Sequence, residues 1–581
     1  MWPFTPSAFR TVVESKLAER SLALEKASTS STSSGAPCAP DSVYLAASAS
    51  TIVDHIASGQ WTASEVLEAY IARAVLAQST TNCLTEVFFD EARQDAQVLD
   101  KEFAITGKVR GPLHGVPVSF KDNYDIKGHD TTLGFTSRAH KPAQKDAEIV
   151  ALVRKAGGVP FVKTNLPQTM MFFECVNPMW GRTLNPFSPD HTSGGSSGGE
   201  AALLRMDGAA LGWGTDIGGS IRIPTAYCGM FGLKFSFGRA STVGAITTIP
   251  GFETIQAVTG PLARSVEDID LAASIVVGQT GSGYHPAPVP WRRINLPAKL
   301  KFGFYTSDNF IKASPVCQRA VLESVKALRA AGHECVEITI PDPSVPMEIF
   351  LASSGADGFK TLMADLGRDP QQPELTATLT GPNLWGWFRS LLGWIVGGVL
   401  NDQMVADVLK AQKKRPVNEF FQVTTAKEKY AEKFYQQVWE HHELDGIICP
   451  VTALPALPHG AVTYLAALSC ATILYNVVES PVGTVPVTRV DSERDAVTAE
   501  WSDPSVGSGH GSHLLEGLLY KGDRAFYNAK KMVGLPVGVQ VVGKKWEDEK
   551  VVEMMKVLDA ALGKRGFEPG SFKASSKASH A

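Results

Sequence analysis

Short apolar runs, LHGVPVSF, AALGWGTD, KFGFYTS, LDGIICPV, VGTVPVTRV and VGLPVGVQVVG, recur from about residue 113 to 543, and segments with helical spacing separate them. Such runs read as strands buried on both faces, and helices between strands can cover a sheet from both sides. The pattern predicts an α/β protein with a large, mixed, twisted central sheet flanked by helices on both faces. ASEVLEAYIARAVLAQ opens on a candidate Ser64 cap. DAEIVALVRKAGGVPFVKTNLPQ predicts a helix ending at Gly157 and Gly158, then a strand from Pro160 to Lys163. No composition break divides residues 41–565, so one large domain is the simpler reading of a 581-residue chain.

The flanks differ in character. Residues 1–26 place Phe9, Val12, Val13, Leu17, Leu22 and Leu24 loosely on one helical face, read as an amphipathic helix packed on the body rather than bound to membrane. They contain no uninterrupted apolar run, which argues against a signal peptide or an N-terminal membrane span. Residues 27–40 have the small, polar composition of a linker, 492–513 read as an exposed insertion, and 566–581 as a disordered tail. Eight scattered cysteines with no C-x-x-C pair signal neither zinc nor disulfides and suggest a reducing, cytoplasmic setting. A net charge of -4 gives no basic footprint for nucleic acid.

Chemistry concentrates between His191 and Arg222, HTSGGSSGGEAALLRMDGAALGWGTDIGGSIR. Glycine at this density lets backbone N–H groups converge on a phosphate or a developing oxyanion. Phosphate is the weaker branch, because neither loop continues into Gly-Lys-Ser/Thr and neither has G-x-G-x-x-G spacing. Gly194 to Gly198 formally matches G-x-S-x-G, but NPFSPDHTS precedes it where a hydrolase elbow needs a buried strand. No later histidine stands in a distinctive setting for a Ser-His-Asp triad. A serine paired with a lysine needs a neutral amine, which requires burial or nearby cations. Lys121 follows an apolar run and is the candidate; a lone lysine in that position is more often a snorkelling surface residue, and periodicity does not separate the two.

GVPVSFKDN, GGSSGGEAAL and GWGTDIGGSIRIPTAYCGMFGLK, spanning about Leu113 to Lys234, resemble the core of the amidase signature family. The resemblance implies a single amidase signature domain and a Ser-cisSer-Lys triad of Ser220 (nucleophile), Ser196 and Lys121. It also implies an oxyanion hole from the backbone of Ile217, Gly218, Gly219 and Ser220, with Ser197, Thr215, Asp216 and Arg222 in support. No metal and no organic cofactor is required. FVKTNLPQTMMFFECVNPMWGRTLNPF, the tryptophan-rich LWGWFRSLLGWIVGGVLNDQM, AVTYLAALSCATILYNVVESPVGTVPVTRV (residues 461–490) and VGLPVGVQVVG resemble the fatty acid amide hydrolase branch of that family, which implies fatty acid amides (N-acylethanolamines, primary fatty amides) as substrates. Met170, Met171 and Phe173 then align with acyl-channel positions, although by spacing alone they read as core.

LWGWFRSLLGWIVGGVL, residues 384–400, is the most apolar stretch and is marginal for a span, since a ~30 Å hydrocarbon core needs about 20 residues. Spacing alone favours an ordinary buried helix over one lying in the membrane interface, where tryptophan sits and a long cation such as Arg389 reaches headgroups; the resemblance instead implies a cap over the acyl channel in peripheral contact with membrane. A homodimer through the region near this cap is left open. The rival readings are a general short-chain aliphatic or aromatic amidase of the same family, the transferring subunit of a multi-protein amidase system, and a non-catalytic membrane-associated lipid-binding protein.

Overall fold

The structure, a computed structural model, describes residues 7–33, 42–279, 286–498, 501 and 511–572. Eleven strands form one sheet: β1 (Leu84–Val87), β2 (Pro117–Lys121), β3 (Val159–Thr164), β4 (Leu211–Asp216), β5 (Phe231–Lys234), β6 (Val258–Ala263), β7 (Lys301–Phe304), β8 (Glu334–Glu337), β9 (Gly446–Pro450), β10 (Val482–Arg489) and β11 (Pro536–Val542). Their spatial order is β1-β3-β2-β4-β6-β5-β10-β11-β9-β7-β8. Parallel pairing joins β3, β2 and β4 on one side and β9, β7 and β8 on the other, with antiparallel pairs between them. The sheet is therefore mixed, as the alternation predicts. Every residue of β2 and β3 is buried, the consequence of helices covering both faces.

Six helices matter below: α1 (Ser7–Ser33), α2 (Gly198–Arg205), α3 (Arg222–Cys228), α4 (Gly386–Trp394), α5 (Gln403–Ala411) and α6 (Cys470–Val477). Several boundaries differ from expectation. The helix Ala63–Thr81 is capped by Thr62, not Ser64: Thr62 and Glu65 form a reciprocal capping box, while the Ser64 hydroxyl donates to Asp100 at 2.5 Å. α1 runs on to Ser33, into the segment read as linker, because Ala27 is buried against the main core; residues 34–41 lie outside the described residues. Val12, Val13 and Leu17 pack on Ala139, Met179 and Trp180, whereas Leu22 faces outward.

The segment 492–513 is not simply exposed. Asp495 is buried and accepts from Arg319 at 2.8 and 2.7 Å, and buried Ser512 donates to Asp402 at 2.6 Å, so both described ends are tied down. Residues 499–500 and 502–510 lie outside the described residues. The beginning of the expected disordered tail is also ordered: Phe567 and Phe572 are buried around the Arg205 guanidinium, whose Nη1 donates to the Phe567 carbonyl at 3.1 Å. Residues 573–581 lie outside the described residues.

The tryptophan-rich run is not a buried helix. Trp385, Trp387 and Trp394 are 73%, 64% and 63% exposed. The inward face of the run is made by glycine: a side chain on Gly393 would meet Lys410, and one on Gly397 would meet Ala406, both from α5. With small residues turned inward, the large ones face out. Arg389 does not reach outward either; its Nη1 donates to the carbonyls of Gln412, Leu384 and Gly381 at 3.1, 3.3 and 3.4 Å. Among the described residues, no helix is long and apolar enough to cross a membrane.

Candidate active site

β2, an interior strand between β3 and β4, carries Lys121 as its last residue, where its register sets it beside Thr164 of β3. The side chain is wholly buried, which overturns the snorkelling alternative. Nζ donates to Ser196 Oγ at 2.6 Å and to Thr215 Oγ1 at 3.0 Å. Burial pulls the amine down to about 7, against weaker opposing fields from Asp216, Cys175 and Glu200. A lysine in this state exchanges a proton near neutrality, which a surface lysine does not.

Ser196 stands in the turn before α2, and the Gly195–Ser196 peptide is cis. Gly194 allows this turn to lie against α3: it holds φ +82°, and a Cβ there would fall 2.8 Å from Pro224 Cα. Ser197 begins the approach to α2, donating its N–H to the Ser220 carbonyl at 3.0 Å. Its hydroxyl has no hydrogen-bond partner among the described residues. Ser220 lies in the loop between β4 and α3 and borders a cavity of about 380 Å³ together with Ser196 and Thr215. The Ser196 and Ser220 hydroxyls face one space without a hydrogen bond between them; such contacts commonly tighten only when substrate is bound.

Asp216 and Arg222 are not a surface pair: both side chains are fully buried. Asp216 Oδ1 accepts from Gly219 N–H at 2.9 Å, Arg222 Nη2 at 2.9 Å and Asn476 Nδ2 at 3.1 Å; Oδ2 accepts from Ile221 N–H and Arg222 Nε, each at 3.1 Å. Burial pushes this carboxyl up, but Arg222 overrides it and holds it well below the usual range. The clamp corrects one assignment. Gly219 N–H is consumed by Asp216 and is not an oxyanion donor, whereas among the described residues the N–H groups of Ile217, Gly218 and Ser220 have no acceptor. Gly219 instead supplies the turn, with φ +126° and the space of its absent Cβ only 2.3 Å from Thr472 Oγ1. Gly218 is less constrained, its nearest neighbour Ile473 lying 3.2 Å from a built Cβ. Gly219→Ala is expected to lower kcat by at least about 100-fold, since a 1 Å misplacement of reacting groups costs that much. Gly218→Ala should cost markedly less, and steady-state kinetics on both variants measures the difference.

A second cavity of about 440 Å³ leads away from the loop, walled by Met171, Phe173, Phe350, Leu384, Leu409 and Ile473. A narrow gap of about 40 Å³, bordered by Met170, Met171, Phe173 and residues 217–220, lies between the two. Met170, Met171 and Phe173 thus border the gap beside residues 217–220, and Phe173 is also core. Sequence reasoning missed Phe172, Phe350 and Ile473, and it missed the outer clamp: Arg222 Nη1 donates to the Thr472 carbonyl at 2.9 Å and to Gln540 Oε1 at 2.8 Å. A glutamine inside VGVQVVG was the available signal, because a polar side chain in a buried strand needs a partner.

The Amidase family matches residues 65–552. The chain is 32% identical over 523 residues to fatty acid amide hydrolase 1 of Caenorhabditis elegans, covering 88% of this chain and 87% of that protein. It is also 32% identical over 535 residues to acetamidase of Emericella nidulans, covering 89% of each. The solved structure of a fatty acid amide hydrolase superposes with a TM-score of 0.79 at 27% identity, covering 96% of this chain and 91% of that one. Matched over residues 65–552, with Ser196 and Ser220 bordering a cavity and the buried Lys121 amine bonded to Ser196 behind it, the chain belongs to the amidase family.

Proposed function

We propose that this chain hydrolyses amides of long-chain fatty acids through an acyl-enzyme on Ser220. Neutral Lys121 accepts a proton from Ser196 as Ser196 accepts one from Ser220, and the Ser220 oxygen attacks the amide carbonyl. The oxyanion is held by Ile217, Gly218 and Ser220 N–H groups. The proton returns through Ser196 to the amine nitrogen as the C–N bond breaks, and water then releases the acid by the same relay. The observation that carries the substrate class is the 440 Å³ apolar cavity, which shares Met171, Phe173 and Ile473 with the gap beside the oxyanion loop and is also walled by Leu384, the residue before the exposed Trp385. Burying a methylene contributes about 0.8 kcal/mol, so such a cavity favours long chains. Exposed tryptophans suit peripheral contact with a lipid surface from which these substrates come.

A primary-amide series from acetamide to oleamide, in detergent, tests this reading. kcat/KM is expected to rise with chain length and to vanish in Ser220→Ala. The equal identity to an acetamidase supports a second reading, a general short-chain amidase; it prevails if acetamide is the best substrate. Absence of any Ser220-dependent turnover would favour a lipid-binding protein.

A further inference from the structure

The two cavities beside the Ser220 loop share Met171, but their walls differ in chemistry. No carboxylate and no cation borders the 440 Å³ cavity. The 380 Å³ cavity, where Ser196, Thr215 and Ser220 stand, is bordered by the amides of Asn123 and Gln256 and, among the described residues, by a single charged side chain, Glu253. Glu253 is exposed and Gln256 half-buried, and neither side chain has a hydrogen-bond or ion-pair partner among the described residues. Their place is fixed from two sides. β6 pairs with β4 so that Val258 is opposite Asp216 and Thr259 opposite Thr215, which brings residues 253–257 into β6 at the end where β4 releases residues 217–220. Phe252 and Ile217 pack on one buried cluster of Ile249, Phe359 and Leu362, so the residue before Glu253 and the first residue of the oxyanion loop share an anchor.

With the acyl chain in the apolar cavity, the polar one is left for the amine half. A primary amide releases ammonia, about the size of a water at roughly 30 Å³, which fills little of this space. An amine bearing a carboxylate would meet Glu253 as a like charge, and no cation borders the cavity to receive it; Lys121 stands behind Ser196. An apolar amine would strip water from Gln256 without replacing its hydrogen bonds, a cost that no polar partner offsets. We propose that this cavity selects amines that carry a second, protonated amino group, so that the substrates are N-acylated diamines or polyamines, with Glu253 as counter-ion at the solvent side and Gln256 as a hydrogen-bonding wall. The proton of the Ser196 relay goes to the nitrogen bound to the acyl carbon, the C–N bond breaks, the diamine leaves with its distal ammonium unchanged, and water then frees the acid from Ser220.

This inference rests on the acyl-enzyme reading above. The test compares kcat/KM of the full chain, in a non-ionic detergent, on N-(4-aminobutyl)oleamide, on N-pentyloleamide, which has a methyl group where the first has an ammonium, and on N-(3-carboxypropyl)oleamide. Wild type should prefer the ammonium substrate to the pentyl one by about fivefold, the upper end of what an exposed ion pair supplies, and the preference should shrink as salt is raised. Glu253→Gln should abolish it, and Glu253→Lys should turn it towards the carboxylate substrate. Each ratio is taken within one variant, so lost folded protein cancels, and a merely structural Glu253 would leave the ratios unmoved. Equal rates on the ammonium and pentyl amides overturn the proposal, as does a preference that survives Glu253→Gln. If only short acyl chains are cleaved, the fatty-amide reading falls, and N-(4-aminobutyl)acetamide against N-pentylacetamide makes the same comparison. Absence of Ser220-dependent turnover on all of them overturns both readings.

Discussion

Ser220→Ala is expected to lower kcat by about 10⁴- to 10⁶-fold and to abolish labelling by a fluorophosphonate probe, because removing the nucleophile of a set that acts as a unit costs nearly all of its catalysis. The expectation is specific to Ser220. Ser196 and Ser197 neighbour it, but Ser196 is already held by Lys121, and Ser197 lies at the start of a fully buried helix. Ser220 borders the open cavity, one residue before the start of α3 at Arg222. Replacing it removes one hydroxyl from a cavity wall, and the thermal midpoint should hardly move. Mass spectrometry of the labelled wild-type protein identifies the adduct. An adduct on Ser196, or labelling that survives in Ser220→Ala, would assign the nucleophile elsewhere.

The sequence revealed the sheet where strands are plain apolar runs and hid it where they are not. β2, β4, β9 and β11 coincide with such runs. β6 does not, because VTGPLA carries a glycine and a proline that normally exclude a central strand. The structure accommodates them: β6 pairs with β4 along its length but with β5 only at Leu262 and Ala263, leaving Pro261 with a neighbour on one side. The site divides in the same way. Lys121, Ser196 and Ser220 stand in dense local motifs, so resemblance could name them although spacing alone could not. Thr472, Asn476 and Gln540 lie 250, 254 and 318 residues from Arg222, and only folding brings them to it. The 384–400 run shows a different limit. Its spacing favours a buried helix, and the exposed outcome was decided by Gly393 and Gly397 meeting α5, a partner that the run itself does not specify.

Arg222→Met should cause the largest loss of stability of any single change near the site. Arg222 gives Asp216 two of its hydrogen bonds and also satisfies the Thr472 carbonyl, Gln540 and Asn476. Methionine keeps much of the volume but leaves a buried carboxylate and three acceptors short of a donor, and breaking a buried pair in this way costs about 3–5 kcal/mol. For a domain of this size, with roughly 2 cal/mol/K of unfolding entropy per residue, the loss amounts to a fall of only about 3–5 °C in Tm, so denaturant titration is the more sensitive measurement. The pH dependence gives the sign. In the wild type the Asp216 carboxyl is depressed, so its stabilising contribution is fully present above the ordinary aspartate range and is lost as pH falls through the depressed value. Without Arg222, burial dominates and the carboxyl is raised, so the variant binds a proton on folding and regains stability as pH falls. The deficit should therefore be greatest near neutrality and shrink towards pH 4, whereas a loss of packing alone would leave it independent of pH. Arg222→Lys should recover little, because one ammonium lacks the planar fork that holds both oxygens of Asp216 while reaching Thr472 and Gln540. Since Asp216 fixes Gly219 and Ile221 on either side of Ser220, both variants should also lose turnover more steeply than stability, which kcat measured well below the unfolding transition will report.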